Sequence, residues 1–140
     1  MSDPIRTSKA PEPVGAYPHA RRHGDLLFLS GVGPRQAADN SIPGGPIVDG
    51  DGVPQDYDIK AQTEAVIQNV KSVLEACGAS LEDVLDVTAF LVDMDRDFQG
   101  YNEVYAKHFT SIQAARTTIA IRALPTPIAV EFKVTAKAPE

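Results

Sequence analysis

Apolar positions along the chain change period several times, and each change marks an element. Val66, Val70, Val73, Leu74 and Cys77 recur at helical spacing and make one apolar face. Asp58 suits the N-cap of that helix, and Gly78 suits the position just past its end. Lys60, Gln62, Glu64, Gln68 and Lys71 make the opposite face and are expected to meet water. Near the C-terminus the period drops to two. Ile128, Val130, Phe132, Val134 and Ala136 point one way and Glu131, Lys133 and Thr135 the other, which predicts a strand over 128–136. Two short, nearly continuous apolar runs read as buried strands: Asp25–Gly31 with Leu26, Leu27, Phe28 and Leu29, and the β-branched Val84–Val92. The first of them is expected to be covered on both faces. A second helix is predicted over Asp97–Phe109, with Phe98, Tyr101, Tyr105 and Phe109 (or His108) as its inner stripe and Asn102 on the same side. Arg116–Leu124 reads as a strand that the Leu124-Pro125-Thr126-Pro127 link breaks.

Proline and glycine set the rest. Residues 1–13 are polar and proline-rich and read as an irregular arm. Pro34–Pro54 contains Pro43-Gly44-Gly45-Pro46 and Asp49-Gly50-Asp51-Gly52, which predicts a long loop ending in a hairpin turn. A loop of that length in a small domain is often functional. The order strand, loop, helix, strand, helix, strand, strand predicts an α+β fold: one domain over residues 1–140, with a mixed sheet and two helices packed on one face.

Composition narrows the partners. A chain of 140 residues with 43% hydrophobic content holds one core and no second. The formal net charge of −6 runs against the basic surplus that phosphate backbones require, which argues against nucleic acid as a partner. One cysteine, Cys77, rules out an internal disulfide. His19, His23 and His108 form no helical His-x-x-x-His pair, so no metal site is expected. No apolar run approaches the roughly 18 residues of a spanning helix, and the N-terminus has no apolar signal core. A cytoplasmic protein without a membrane partner is expected.

Two charged residues stand out against this background. Arg116 opens a strand directly after Ala114-Ala115, where its planar fork can hold a carboxylate by two parallel hydrogen bonds. Glu131 sits among apolar neighbours, where a carboxylate can orient or deprotonate water. The plainer alternative is a surface ion pair on the open face of a sheet. Asn102 can present its amide to a ligand or satisfy nearby backbone. Tyr17, in a turn after Gly15-Ala16, can line a site or cover the core edge. Ser30-Gly31-Val32-Gly33-Pro34 lacks the spacing of a phosphate loop, although its glycines let backbone approach a ligand closely. Ser30 lacks the Gly-x-Ser-x-Gly frame of a nucleophile.

Taken together, Gly15-Ala16-Tyr17, Leu27-Phe28-Leu29-Ser30-Gly31, the helix carrying Asn102 and Tyr105, and Ala115-Arg116-Thr117-Thr118-Ile119-Ala120-Ile121 with Leu124-Pro125 and Val130-Glu131 resemble the reactive intermediate deaminase (RidA/YjgF) family. The resemblance runs from about Lys9 to Lys137. Residues 9–22 and 24–35 look like the 2-aminomuconate deaminases of aromatic-compound catabolism. What the resemblance implies is a chorismate-mutase-like subunit, a homotrimer with sites between subunits, no metal and no organic cofactor. It implies hydrolysis of an enamine or imine bearing a carboxylate, with Arg116 on that carboxylate, Glu131 on water, and Tyr17, Asn102 and the Gly31 backbone lining the pocket. Thr118 stands where many relatives carry a reactive cysteine, and Val32 where many carry glutamine. For 2-aminomuconate the products are 4-oxalocrotonate and ammonia. A generic 2-aminoacrylate or 2-imino acid deaminase and a non-enzymatic ligand-binding trimer are the alternatives. A dicarboxylate substrate needs a second cation, and Arg35, just after the first strand, is the first candidate, followed by Arg21 or Arg22.

Overall fold

A computed structural model describes residues 2–140. Six strands form one sheet: β1 (Ser2–Ile5), β2 (Ala20–His23), β3 (Leu26–Leu29), β4 (Val84–Leu91), β5 (Ala115–Ala120) and β6 (Val130–Lys137). Their order is β1-β2-β3-β6-β4-β5, and every neighbouring pair is antiparallel except β4 with β5. That single parallel pair follows from its connection. Helix α2 (Met94–Phe109) returns the chain across the sheet before β5 begins, as a parallel crossover requires. Helix α1 (Ile59–Ala76) packs on β6 and against α2, so both helices cover the same face. This is the two-layer α+β arrangement that the pattern predicts.

The end signals of α1 behave as their chemistry requires. The Asp58 side chain accepts from the amides of Lys60 and Ala61 at 3.0 and 3.1 Å. Gly78 takes φ +77°, and the Ala79 and Gly78 amides return to the Leu74 and Glu75 carbonyls. Between the layers, Val66, Val70 and Leu74 meet Tyr101, Phe132 and Val134, all fully buried. Phe132 sits edge-on to Tyr101 and Tyr105, with ring centres 6.1 and 6.0 Å away.

Several expectations need correction. Part of the supposedly irregular arm is β1, which pairs with β2. β2 itself was not predicted, because Ala20-Arg21-Arg22-His23 carries almost no apolar signal. β3 is covered on one face only: Leu27 and Leu29 are buried, while Leu26 and Phe28 are 37% and 41% exposed. β4 likewise alternates, with Val87, Ala89 and Leu91 inward. β5 ends at Ala120, short of Leu124. Gln62 does not meet water. It is fully buried, donating to the Gly45 carbonyl at 2.9 Å and accepting from the Ala129 amide at 2.8 Å. α2 begins a turn earlier than expected, because Asp93 caps it through the Arg96 amide. Within it Phe98 faces outward and Asp97 inward, where Asp97 binds Arg96 at 2.7 Å and the Tyr57 hydroxyl at 2.5 Å. The long loop holds the predicted hairpin turn, closed by Asp49 and Val53.

Candidate active site

β3 and β6 pair as far as Phe28 and Thr135, separate, and touch again where Val32 bridges Phe132. The gap opens a pocket. Pro11, Pro13, Tyr17, Gly31, Arg35 and Glu131 are among the residues that line it. Gly31 is glycine for a visible reason. A Cβ there would lie 2.7 Å from Oε2 of Glu131 and 2.9 Å from its Cδ, so the carboxylate occupies the space a side chain would take. Burial pushes the Glu131 carboxyl above the ordinary glutamate range, and no cation among the described residues pairs with it. Ser30 is not free to attack anything, because its hydroxyl donates to the Pro18 carbonyl at 2.8 Å.

Two other groups complete this pocket. Arg35 donates from Nη1 to the Asn40 side-chain oxygen at 2.9 Å and from Nη2 to the Glu12 carbonyl at 3.0 Å. Both acceptors are neutral, so its charge is oriented but not balanced. His19 also lines the pocket, but both ring nitrogens are committed: Nδ1 accepts from the Thr7 amide and Nε2 donates to the Pro11 carbonyl at 2.9 Å. Arg21 and Arg22 lie elsewhere. Arg21 binds the Ser2 hydroxyl, and Arg22 binds the Gly24 and Pro139 carbonyls. They are therefore not neighbours of the pocket, and of the three candidate arginines only Arg35 is.

Arg116 stands in a different place, on edge strand β5, turned toward α2. Its Nη1 donates to Oδ1 of Asn102 at 2.8 Å, and its guanidinium carbon lies 4.7 and 5.3 Å from the ring centres of Tyr105 and Tyr101. Two aromatic faces thus stabilise the charge without neutralising it. Thr118, two residues on and on the same side of β5, shares a 2.6 Å hydrogen bond with the Tyr101 hydroxyl. No carboxylate among the described residues lies within ion-pair distance of Arg116.

The predicted site residues therefore form two groups. Tyr17, Gly31, Arg35 and Glu131 belong to one, and Asn102, Arg116 and Thr118 to the other. Glu131 is in register with Phe90 and Ile119, three positions along β5 from Arg116 and two strands across. At ordinary strand spacings this puts the two Cα atoms about 14 Å apart. The side chains also leave opposite faces, since Phe132 beside Glu131 fills the helix side. The surface ion pair considered from sequence does not exist within the chain.

Sequence reasoning missed the residue that holds the first group in place. Asn69 of α1 is buried and donates to both the Gly33 and Arg35 carbonyls, at 2.9 and 2.7 Å. The signal was present: Asn69 falls three residues after Val66 and four before Val73, on the apolar face where a polar side chain needs a partner.

The family described as Endoribonuclease L-PSP matches residues 7–138. A RutC family protein of Saccharolobus solfataricus is 37% identical over 137 residues, covering 98% of each chain. The chloroplastic Reactive Intermediate Deaminase A of Arabidopsis thaliana is 33% identical over 129 residues, 92% of this chain and 62% of that protein. The E. coli protein TdcF, solved with bound serine, superimposes with a TM-score of 0.82 at 28% identity, over 98% of this chain and 99% of that one. The chain belongs to the Endoribonuclease L-PSP family, to which RutC family proteins and reactive intermediate deaminases also belong.

Proposed function

We propose that the protein hydrolyses an enamine or imine that carries a carboxylate, releasing ammonia and a 2-oxo acid, and that 2-aminomuconate is its substrate. The observation that carries this reading is a matched pair of unbalanced charges: a cushioned guanidinium at Arg116 and a desolvated carboxylate at Glu131. Arg116 holds the reacting carboxylate with Asn102 orienting it, and Thr118 lines the same side. The enamine tautomerises to an imine, whose carbon accepts water placed by Glu131. Glu131 takes a proton from that water as its oxygen bonds to the imine carbon and returns it to the nitrogen. It then relays the carbinolamine hydroxyl proton to the same nitrogen as the C–N bond breaks, so that the C=O forms and ammonia leaves. Tyr17 and the Gly31 backbone close the pocket around the reacting carbon. The raised proton affinity of Glu131 brings it nearer to a useful base. The relative named Reactive Intermediate Deaminase A supports deamination, and the serine-bound TdcF supports a small carboxylate ligand. No metal or organic cofactor enters this scheme.

Because the two groups lie on opposite faces of one sheet, we place the working site between subunits of a homotrimer, β5 of one chain closing on the Glu131 pocket of the next. The partly exposed Leu26, Phe28 and Ile119 are then covered. Arg35 supplies the second cation of that pocket and takes the distal carboxylate, giving 4-oxalocrotonate as the product. A cytoplasmic setting fits this chemistry. The test is complementation. Arg116→Ala and Glu131→Gln are each inactive alone, while random mixed trimers regain about a quarter of wild-type activity, because one site in four draws both intact residues. No recovery on mixing refutes shared sites. Equal loss of 2-aminomuconate and 2-aminoacrylate turnover in Arg35→Ala refutes the dicarboxylate and leaves a generic imine deaminase.

A further inference from the structure

Three hydroxyls surround the face of Arg116, and their hydrogen bonds do not balance. Tyr101 and Thr118 satisfy each other at 2.6 Å. Tyr105, one turn beyond Asn102 on α2, is left over. Its hydroxyl oxygen is fully buried, its residue is only 9% exposed, and it has no partner among the described residues. The ring is held firmly: it stacks on Phe109 at 4.4 Å, leans on Phe132 and lies 4.7 Å beneath the Arg116 guanidinium. A buried hydroxyl without a partner is destabilising, and a phenylalanine would fill the same space without that penalty.

The unused hydrogen-bonding capacity nearby is mostly that of donors. Arg116 spends one Nη1 bond on Asn102, which leaves its other N–H groups free. Asn102 uses its oxygen on Arg116, which leaves its amide nitrogen free. With the Tyr105 hydroxyl, three donors remain and no carboxylate answers them. A cluster this rich in free N–H and O–H donors suits an anion with several lone pairs, and a carboxylate has about four acceptor positions. Burial pushes the Tyr105 phenol up to about 12, against a smaller downward pull from the Arg116 charge, so it stays protonated and able to donate across the neutral range.

We infer that Tyr105 is a substrate-binding residue, its hydroxyl donating to the carboxylate that Arg116 and Asn102 hold. This rests on the reading of Arg116 as the carboxylate anchor. The competing account is a structural one, in which the hydroxyl reaches an ordered water shared with Asp86, whose charge also acts on it.

The experiment compares wild type, Tyr105→Phe and Arg116→Ala by calorimetric binding of 2-oxobutanoate, a monocarboxylate 2-oxo acid, and by thermal unfolding with and without it. Tyr105→Phe keeps the ring beneath Arg116 and removes one oxygen. The expected result is binding weakened about 10-fold or more, the scale of one hydrogen bond to a charged group, with unliganded Tm unchanged or raised. The ligand-induced rise in Tm shrinks in the same variant. Unchanged affinity in Tyr105→Phe, beside lost affinity in Arg116→Ala, overturns the inference and leaves the anchor standing. A lowered unliganded Tm with unchanged affinity assigns the hydroxyl to a structural water. Unchanged affinity in Arg116→Ala overturns the anchor and the role of Tyr105 together.

Discussion

Gly31→Ala isolates the position of one carboxylate from the stability of the fold. The new Cβ meets Oε2 of Glu131 at 2.7 Å, Cδ at 2.9 Å and Oε1 at 3.4 Å. Ordinary non-bonded contact begins near 3.5 Å, so the carboxylate must retreat by about 0.8 Å. The obstacle is the free end of a side chain, and Gly31 does not have the positive φ that makes alanine costly, so the backbone accommodates the change. A displacement of about 1 Å at the reacting centre is enough to lower turnover about 100-fold. Steady-state ammonia release measures this, with thermal unfolding as the companion assay. The expected result is kcat down about 100-fold with Tm unchanged or slightly raised. Gly24→Ala is the mirror control. Gly24 has φ +59° and no atom within 4 Å of a built Cβ, so alanine there costs about 1–2 kcal/mol of stability and spares kcat. Wild-type kcat in Gly31→Ala would show that the placement of Glu131 against this backbone does not matter, and the role of water positioning would fall with it.

Other predictions follow from the same geometry. Folding raises the proton affinity of Glu131, so its folded form binds more protons than the unfolded chain between the ordinary glutamate range and its own higher pKa. Stability from this group is therefore greatest at acid pH and is lost as pH rises through that window. Glu131→Gln should raise Tm at neutral pH, and the gain should vanish below about pH 4. The same shift places the acid limb of kcat/KM above the ordinary glutamate range, and a limb at or below that range refutes it. Asn69→Ala strands the Gly33 and Arg35 carbonyls, costs about 1–3 kcal/mol and raises KM; urea unfolding and kinetics measure the two effects. Asp97→Ala leaves the Tyr57 hydroxyl and Arg96 without their shared acceptor, and should cost about 3 kcal/mol with little change in kcat, read from unfolding and activity.

Elements with one clean period were legible. β6 alternates without a fault, and its polar side delivers Glu131 to the face the pattern assigns. α1 carries both of its end signals and an apolar stripe, so its limits match closely. What failed was periodicity interrupted by function or by pairing. β2 is stabilised by backbone bonds to β1 and β3, not by apolar side chains, so Arg21 and Arg22 hid it. Gln62 and Asn69 lie on inner positions of α1, where the partners are loop carbonyls that only the folded chain brings near. The candidate site residues could be named one by one. Their separation into two groups was not, since a linear pattern shows which side of its own strand a residue takes but not how far that strand lies from another.

That separation has a consequence for how the protein behaves on dilution. No rotation of side chains closes a gap of about 14 Å between residues on opposite faces of one sheet. On the proposed reading, a dissociated chain is therefore folded and inactive. The number of working sites follows the association equilibrium, not the amount of protein, and rate rises more steeply than first order in enzyme until assembly is complete. A variant with a weakened interface then resembles a catalytic defect at low concentration and recovers at high concentration, whereas a variant at Arg116 or Glu131 stays inactive at every concentration.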